Sequence, residues 1–241
     1  MGRHGTIAGR KAAQDSKRAA MFTKYARAII VAAKAGGNPE YNSALRLAID
    51  KAKGISMPND KIQRAIKKGT GELEGESYVE QSYEGYGAGG VAIIVETLTD
   101  NTNRTTAAIR SAFDKHGGNL GTPGCVSYMF SRKGVILIEK TDDIDEDELM
   151  EAALEAGADD FVTNEDSFEI ITDPAAHTDV HTALVEAGYE LLESDVEQVP
   201  SMEATPGEHD INKLKKLIDV LEDNDDVQKV HTNCAIDLYE E

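Results

Sequence analysis

Residues 134–200 read GVILIEKTDDIDEDELMEAALEAGADDFVTNEDSFEIITDPAAHTDVHTALVEAGYELLESDVEQVP. Short apolar runs alternate here with segments of helical period. That texture predicts strand Gly134–Glu139, helix Glu146–Ala156, strands Asp160–Thr163 and Phe168–Thr172, helix Ala176–Ala187 and strand Leu191–Gln198. The order βαββαβ is the split βαβ, or ferredoxin-like, arrangement. The carboxylates Asp142, Asp143, Asp145, Glu146, Asp147 and Glu148 have no glycine at the sixth place of a calcium loop. They read as a linker and a helix first turn, where negative charge meets the positive end of the helix dipole.

A second copy of the arrangement lies to either side, in two pieces. Strand Val91–Leu98, helix Arg104–His116 and strand Val126–Ser131 precede the central run; Met202–Thr205, helix Ile211–Leu221 and strand Val227–Ile236 follow it. A discontinuous ferredoxin-like domain, 77–133 plus 201–241, is therefore expected to be interrupted by another, 134–200. Gly85, Gly87 and Gly90 satisfy G-x-G-x-x-G, but a strand follows them instead of the helix N-terminus that holds a pyrophosphate, so they read as a glycine-rich bend. Asp100-Asn101-Thr102-Asn103-Arg104-Thr105 lies between a strand and a helix, and an Asx-turn with an N-cap explains it as well as a binding role does.

Toward the N-terminus the texture becomes helical and basic. Residues 1–20, MGRHGTIAGRKAAQDSKRAA, hold no large apolar side chain except Ile7 and are expected to form a mobile basic arm. The pattern from Lys17 to Lys34 sets Phe22, Tyr25, Ala26, Ile29 and Ala33 on one helix face and Lys24, Arg27 and Lys34 on the other. Gly36-Gly37-Asn38-Pro39 ends that helix. Ser43 is the expected N-cap of a second helix, with Leu45, Ala48, Ile49 and Ala52 inward, and Ser56 with Pro58 marks a third, with Ile62, Ala65 and Ile66 inward. A basic helical domain over 21–76 results, with Lys51, Lys53, Lys61, Arg64, Lys67 and Lys68 expected to be exposed. The fold class is α+β: a three-helix domain, then two ferredoxin-like domains, one inserted in the other.

The formal charge of −19 hides a division. Residues 1–68 hold fifteen Lys and Arg against four carboxylates, and the remaining residues hold ten against forty. Cations gathered in the leading helices of an acidic chain point to phosphate contact, with Arg3, Arg10, Lys11, Lys17, Arg18, Lys24, Arg27, Lys34, Lys51, Lys53, Lys61, Arg64, Lys67 and Lys68 as the candidate nucleic-acid-binding residues. No aromatic side chain precedes Phe22, so base stacking is not expected of the arm. His177 and His181 share a helix face at zinc spacing, but no Glu follows His177 and no third ligand offers itself; they read as solvated helix histidines. Cys125 and Cys234 are too far apart for a paired motif and read as small buried apolar residues. No nucleophile–base pair or phosphate loop with a defined spacing occurs, so an enzyme, a metal and a cofactor are not expected. No apolar run reaches membrane length, no secretion signal shows, and a cytoplasmic monomer without membrane contact is expected.

Three blocks carry a resemblance to a known family: GRKAAQDSKRAAMFTKYARAIIVAAKAGG, MPNDKIQRAIKKGTGELEG, and YEGYGAGGVAIIVETLTDNTNRTTAAIRSAFDKHGGNLGTPGCVSYMFSRKG. They are similar to the YebC/PmpR family, which includes the mitochondrial translational activator of cytochrome oxidase subunit 1. The resemblance implies a helical domain and two α/β domains, the last inserted in the middle one. It also implies a non-enzymatic regulator of gene expression, acting on DNA in transcription or on ribosomal RNA and the ribosome in translation of proline-rich sequences. By motif, Lys11, Lys17, Arg18, Lys24, Arg27, Lys61, Arg64, Lys67 and Lys68 match basic positions of the family pattern. The loops with Asn101, Asn103 and Arg104, and with Gly117, Gly118 and Asn119, match as further contacts. The family's usual opening, similar to G-H-S-K-W-A-N-I-K, is replaced here by Gly2-Arg3-His4-Gly5-Thr6-Ile7-Ala8-Gly9-Arg10. RNA is favoured over DNA, since no dimeric helix-turn-helix offers a recognition helix with Arg, Asn or Gln at base-reading positions. A small-molecule sensor built on the paired ferredoxin-like domains is the alternative.

Overall fold

The computed structural model describes residues 18–236 and Leu238, with side chains from Met21 onward. Three helices come first: α1 (Arg18–Ala33), α2 (Ser43–Gly54) and α3 (Asn59–Gly69). Their inward stripes, Ile29, Ile30 and Ala33, then Leu45, Ala48, Ile49 and Ala52, then Ile62, Ala65 and Ile66, interlock in one core closed by Met57. The caps differ from expectation. Asn42, not Ser43, accepts the Leu45 amide at the head of α2, and its side-chain NH2 also donates to the carbonyls of Ala32 and Gly36, a double task beyond a serine hydroxyl. Pro58 stands at the head of α3, while Ser56 takes the left-handed turn position with φ 60°. Gly69 lets α3 meet α1: a Cβ there would sit 2.6 Å from Ala33 Cβ.

The rest of the chain forms β1 (Val79–Tyr86), β2 (Ala92–Thr99), α4 (Thr102–Lys115), β3 (Asn119–Leu120), β4 (Phe130–Glu139), α5 (Glu146–Glu155), β5 (Asp160–Thr163), β6 (Ser167–Thr172), α6 (His177–Glu186), β7 (Leu191–Pro200), α7 (Glu208–Glu222) and β8 (Val227–Thr232). Two four-stranded antiparallel sheets result, with orders β3-β1-β2-β8 and β5-β6-β4-β7. The second is the ferredoxin-like order, with Leu149, Ala153, Val180 and Leu184 of its helices packed on Ile136, Ile138, Phe168 and Ile170. The α+β class and the insertion of one such unit in another are as the sequence indicates. Strands β4 and β7 pair from Phe130↔Pro200 inward, so the inserted unit enters and leaves the host side by side. A host whose attachment points are neighbours accepts an insertion with little distortion.

The host unit departs from the expected connectivity. Val126–Ser131 is not a strand of the host: Ser127–Met129 is a 3-10 turn, and Phe130 already belongs to β4. Glu84 draws the amides of Gly124, Val126 and Ser127 onto its carboxylate at 2.9–3.0 Å, which takes them out of any ladder. Met202–Thr205 makes only the bridge Ala204↔Cys234, between Pro200 and Pro206. The missing strand is β1, which lies before β2 in the chain yet occupies the sheet position that β6 holds in the inserted unit. GYGAGG is the bend between them, with Gly89 at φ 72°. Cys125 and Cys234 are half-buried, at the margins of the host's cores, instead of fully inside.

Two carboxylates join the parts. Asp226, just before β8 and nearly inaccessible, accepts from Arg27 of α1 (2.7 Å), from Arg104 of α4 (2.9 and 3.0 Å) and from Thr105 (2.7 Å). Burial alone would raise its pKa; the hydrogen bonds from Thr105, Arg104 and Arg27 outweigh that and hold it below the usual carboxylate range. Arg27 also donates to the Leu98 carbonyl and stacks 5.2 Å from the Tyr78 ring. Asp195, on β7 of the inserted unit, binds Lys51 of α2 (2.6 Å) and Lys229 of β8, so one carboxylate touches all three parts. Despite burial its pKa is pulled down to about 2 by Lys229 and Lys51. Beside it Ser194 Oγ lies 3.0 Å from His177 Nε2 and 2.7 Å from His181 Nδ1. His177 is buried and not solvated, and burial lowers its pKa to about 4, against the raising effect of Asp195.

Removing one partner of a buried charge pair leaves the other uncompensated. Asp226→Asn is expected to destabilise the chain by about 2–4 kcal/mol in urea unfolding and to speed hydrogen exchange in α1; an unchanged midpoint and unchanged α1 protection would remove Asp226 from this role. The pH profile offers a separate check. The folded-state pKa of His177 lies below the ordinary 6.5, so the unfolded chain takes the proton first, and the stability of the neutral ring, complete above pH 6.5, is lost as the pH falls to about 4. Asp195 acts in the same sense lower down, between 3.8 and about 2. His177→Gln is expected to flatten the unfolding profile between pH 6.5 and 4 while leaving the steeper acid limb in place.

Candidate nucleic-acid interface

The expected cations divide into three groups. Arg3, Arg10, Lys11 and Lys17 lie outside the described residues, as does the side chain of Arg18. A second group faces inward, contrary to expectation. Lys24 donates to the Glu222 carbonyl (2.5 Å), Arg27 is spent on Asp226, and Lys51 is half-buried on Asp195, where burial lowers its pKa and the aspartate opposes the shift. The helix face opposite the apolar stripe of α1 is docked on the acidic body because opposite charges on one chain attract, and the body holds the carboxylates. The loss of these three is a correction to the exposed basic face drawn from periodicity.

The third group stays outside and lies mostly on α3. Lys61, Arg64 and Lys67 are exposed and Lys68 is half-buried, its stem against Gly75. None of the four has a carboxylate partner among the described residues; Asp60, in the first turn, is the one acid of the helix. Lys61, Arg64 and Lys68 recur at i, i+3, i+7 and so form a single stripe, flanking the buried Ile62, Ala65 and Ile66. Lys61 Nζ sits 5.1 Å from the Phe22 ring centre, and Lys67 and Lys68 lie where the helix dipole welcomes positive charge. Lys34 donates to the Tyr78 carbonyl at an exposed position, and Lys53 makes only a 4.0 Å contact to Asp50. Arg46, which the sequence reading passed over, is exposed on α2 and borders an open polar cleft with Ser43 and, on α6, Thr178, Asp179 and Glu186.

The loop candidates other than Asn103 have structural tasks. Asn101 caps α4 through the Arg104 amide (3.1 Å), and the Arg104 guanidinium is held by Asp100 and Asp226, while Asn103 is exposed. Gly117, at φ 76°, ends α4, Gly118 packs against the Tyr86 carbonyl, and Asn119 pairs with Tyr86 in β3. Among the described residues no three His, Cys, Asp or Glu side chains gather as a metal would require, and no helix is long and apolar enough to cross a membrane.

With this geometry in view, residues 3–72 match the TACO1/YebC protein N-terminal domain, and residues 78–234 match the TACO1/YebC second and third domain. A probable transcriptional regulatory protein of Clostridioides difficile is 54% identical over 239 residues, covering 98% of this chain and 100% of its own. One of Geobacter sulfurreducens is 52% identical over 98% of this chain and 95% of its own. A conserved hypothetical protein of Aquifex aeolicus, solved by crystallography, superposes with a TM-score of 0.85 at 44% identity, covering 99% of this chain and 96% of that one. The fold, the domain matches and these relatives agree: the chain belongs to the TACO1/YebC family.

Proposed function

We propose that the protein is a regulator of gene expression that grips a nucleic acid through the outer stripe of α3, with structured RNA as the partner. The observation that carries this reading is the set Lys61, Arg64, Lys67 and Lys68, without a carboxylate partner among the described residues and gathered on one helix, whereas Lys24, Arg27 and Lys51 are consumed inside the molecule. The stripe offers charge at one-turn spacing. Such a surface holds phosphates rather than base edges, which suits RNA recognised by backbone and shape. The relatives' names as probable transcriptional regulatory proteins support a regulatory role, and the same grip serves DNA or ribosomal RNA.

The test compares a structured ribosomal RNA fragment with duplex DNA across a salt series, alongside co-sedimentation with ribosomes. Each phosphate contact contributes about −0.7 to −0.9 to the log–log salt slope. Replacing Lys61, Arg64, Lys67 and Lys68 together by Ala is expected to flatten the slope by about 3 and weaken RNA binding at least tenfold, with the melting temperature nearly unchanged because the positions lie outside the core. Affinity and slope that survive the quadruple change would assign binding elsewhere, and tighter binding to duplex DNA would redirect the proposal to transcription.

A further inference from the structure

The inserted unit, residues 134–200, carries twenty-one carboxylates and one cation, Lys140. Lysines from outside it meet Asp195, through Lys51 and Lys229, and Asp159, through Lys133. Within this field α5 has an unusual flank. Met150 and Leu154 are 37% and 48% exposed, the only pair of exposed large apolar side chains one helical turn apart among the described residues. Their neighbours Leu149 and Ala153 are fully buried, so the pair is separate from the core stripe. Glu146, Met150 and Leu154 form one i, i+4 row, and Glu146 reaches Thr163 of β5 (2.7 Å). The head of the row thus touches β5, the end strand of its sheet. Asp147, Glu148, Glu151 and Glu155, all exposed, share the helix with it.

We infer that this flank of α5 docks a basic protein segment bearing two apolar side chains at helical spacing. Charge selects the occupant. A nucleic acid or an anionic lipid surface is repelled by twenty-one carboxylates, and a second copy would bring as many again. A cationic polypeptide is drawn in at long range, and its apolar anchors cover Met150 and Leu154 while Glu151 and Asp147 hold its lysines at the rim. This goes beyond the nucleic-acid reading: another domain, the opposite sign of charge and a protein partner are involved.

The experiment uses the intact protein and two labelled lysine-rich helical peptides of equal charge, one with leucines a turn apart and one with serines in their place, followed by fluorescence anisotropy. The leucine peptide is expected to bind about tenfold more tightly, and Met150→Ser with Leu154→Ser to erase that preference while leaving the serine peptide's affinity unchanged. Glu151→Gln with Glu155→Gln, which keeps the apolar pair, is expected to weaken both peptides and reduce their salt dependence; circular dichroism checks the fold of each variant. Equal affinity of the two peptides for the unchanged protein, a leucine preference that survives the serine pair, or no binding overturns the inference. So does a concentration-dependent dimer that the serine pair abolishes, which would make a second copy the occupant. None of these outcomes bears on the α3 stripe, whose test uses other residues and another ligand.

Discussion

Asp195 is where the three parts of the molecule meet, and its charge is the constraint on which their arrangement rests. A carboxylate with a lysine from α2 on one side and a lysine from β8 on the other stays ionised to unusually low pH. Asp226 does the corresponding work between α1 and the host sheet with two guanidinium groups. Each junction sets one cation of the basic leading segment, Lys51 or Arg27, beside one of the remainder, Lys229 or Arg104, so the inequality of charge that composition reveals supplies half of its cations. That inequality operates first inside the molecule. Cations that reach a carboxylate become fasteners, and those turned away from the body remain for an external polyanion.

Much of the architecture was readable because the inserted unit combines strong period changes with clean punctuation. Asp145 before Glu146 and Gly157 after Ala156 bound α5 within a residue of its expected limits. Strand β1 escaped notice for a physical reason. Val79 to Ser82 are all exposed, so the strand has no run of inward apolar residues, and Tyr83 and Gly85 alone face inward before Tyr86. The turn at Ser127–Met129 was mistaken for a strand because Val126, Met129 and Phe130 are buried and apolar; nothing local reveals that Glu84, some forty residues earlier, claims the intervening amides.

The binding surface was legible only in part. Helical period places Lys24, Arg27 and Lys51 away from their own helices' apolar stripes, and from that viewpoint they resemble Lys61 and Arg64. Their difference is tertiary: Lys24, Arg27 and Lys51 meet partners on the body, whereas Lys61 and Arg64 stay exposed with no carboxylate partner among the described residues. The two histidines were misjudged in the same way. His177 and His181 read as solvent-facing from spacing alone, yet Ser194 of the next strand, β7, collects both rings beneath the junction.

The permuted host sheet governs how the chain matures as it leaves the ribosome. Its inner strand β2 must wait for β8, which is made about 130 residues later, whereas every strand of the inserted unit finds its neighbours within 134–200. Contacts close in sequence form sooner than distant ones. The inserted unit is thus complete while the host holds β3, β1 and β2 without β8, and synthesis of β8 both closes the host sheet and delivers Lys229 to Asp195. Assembly of the whole is gated by β8.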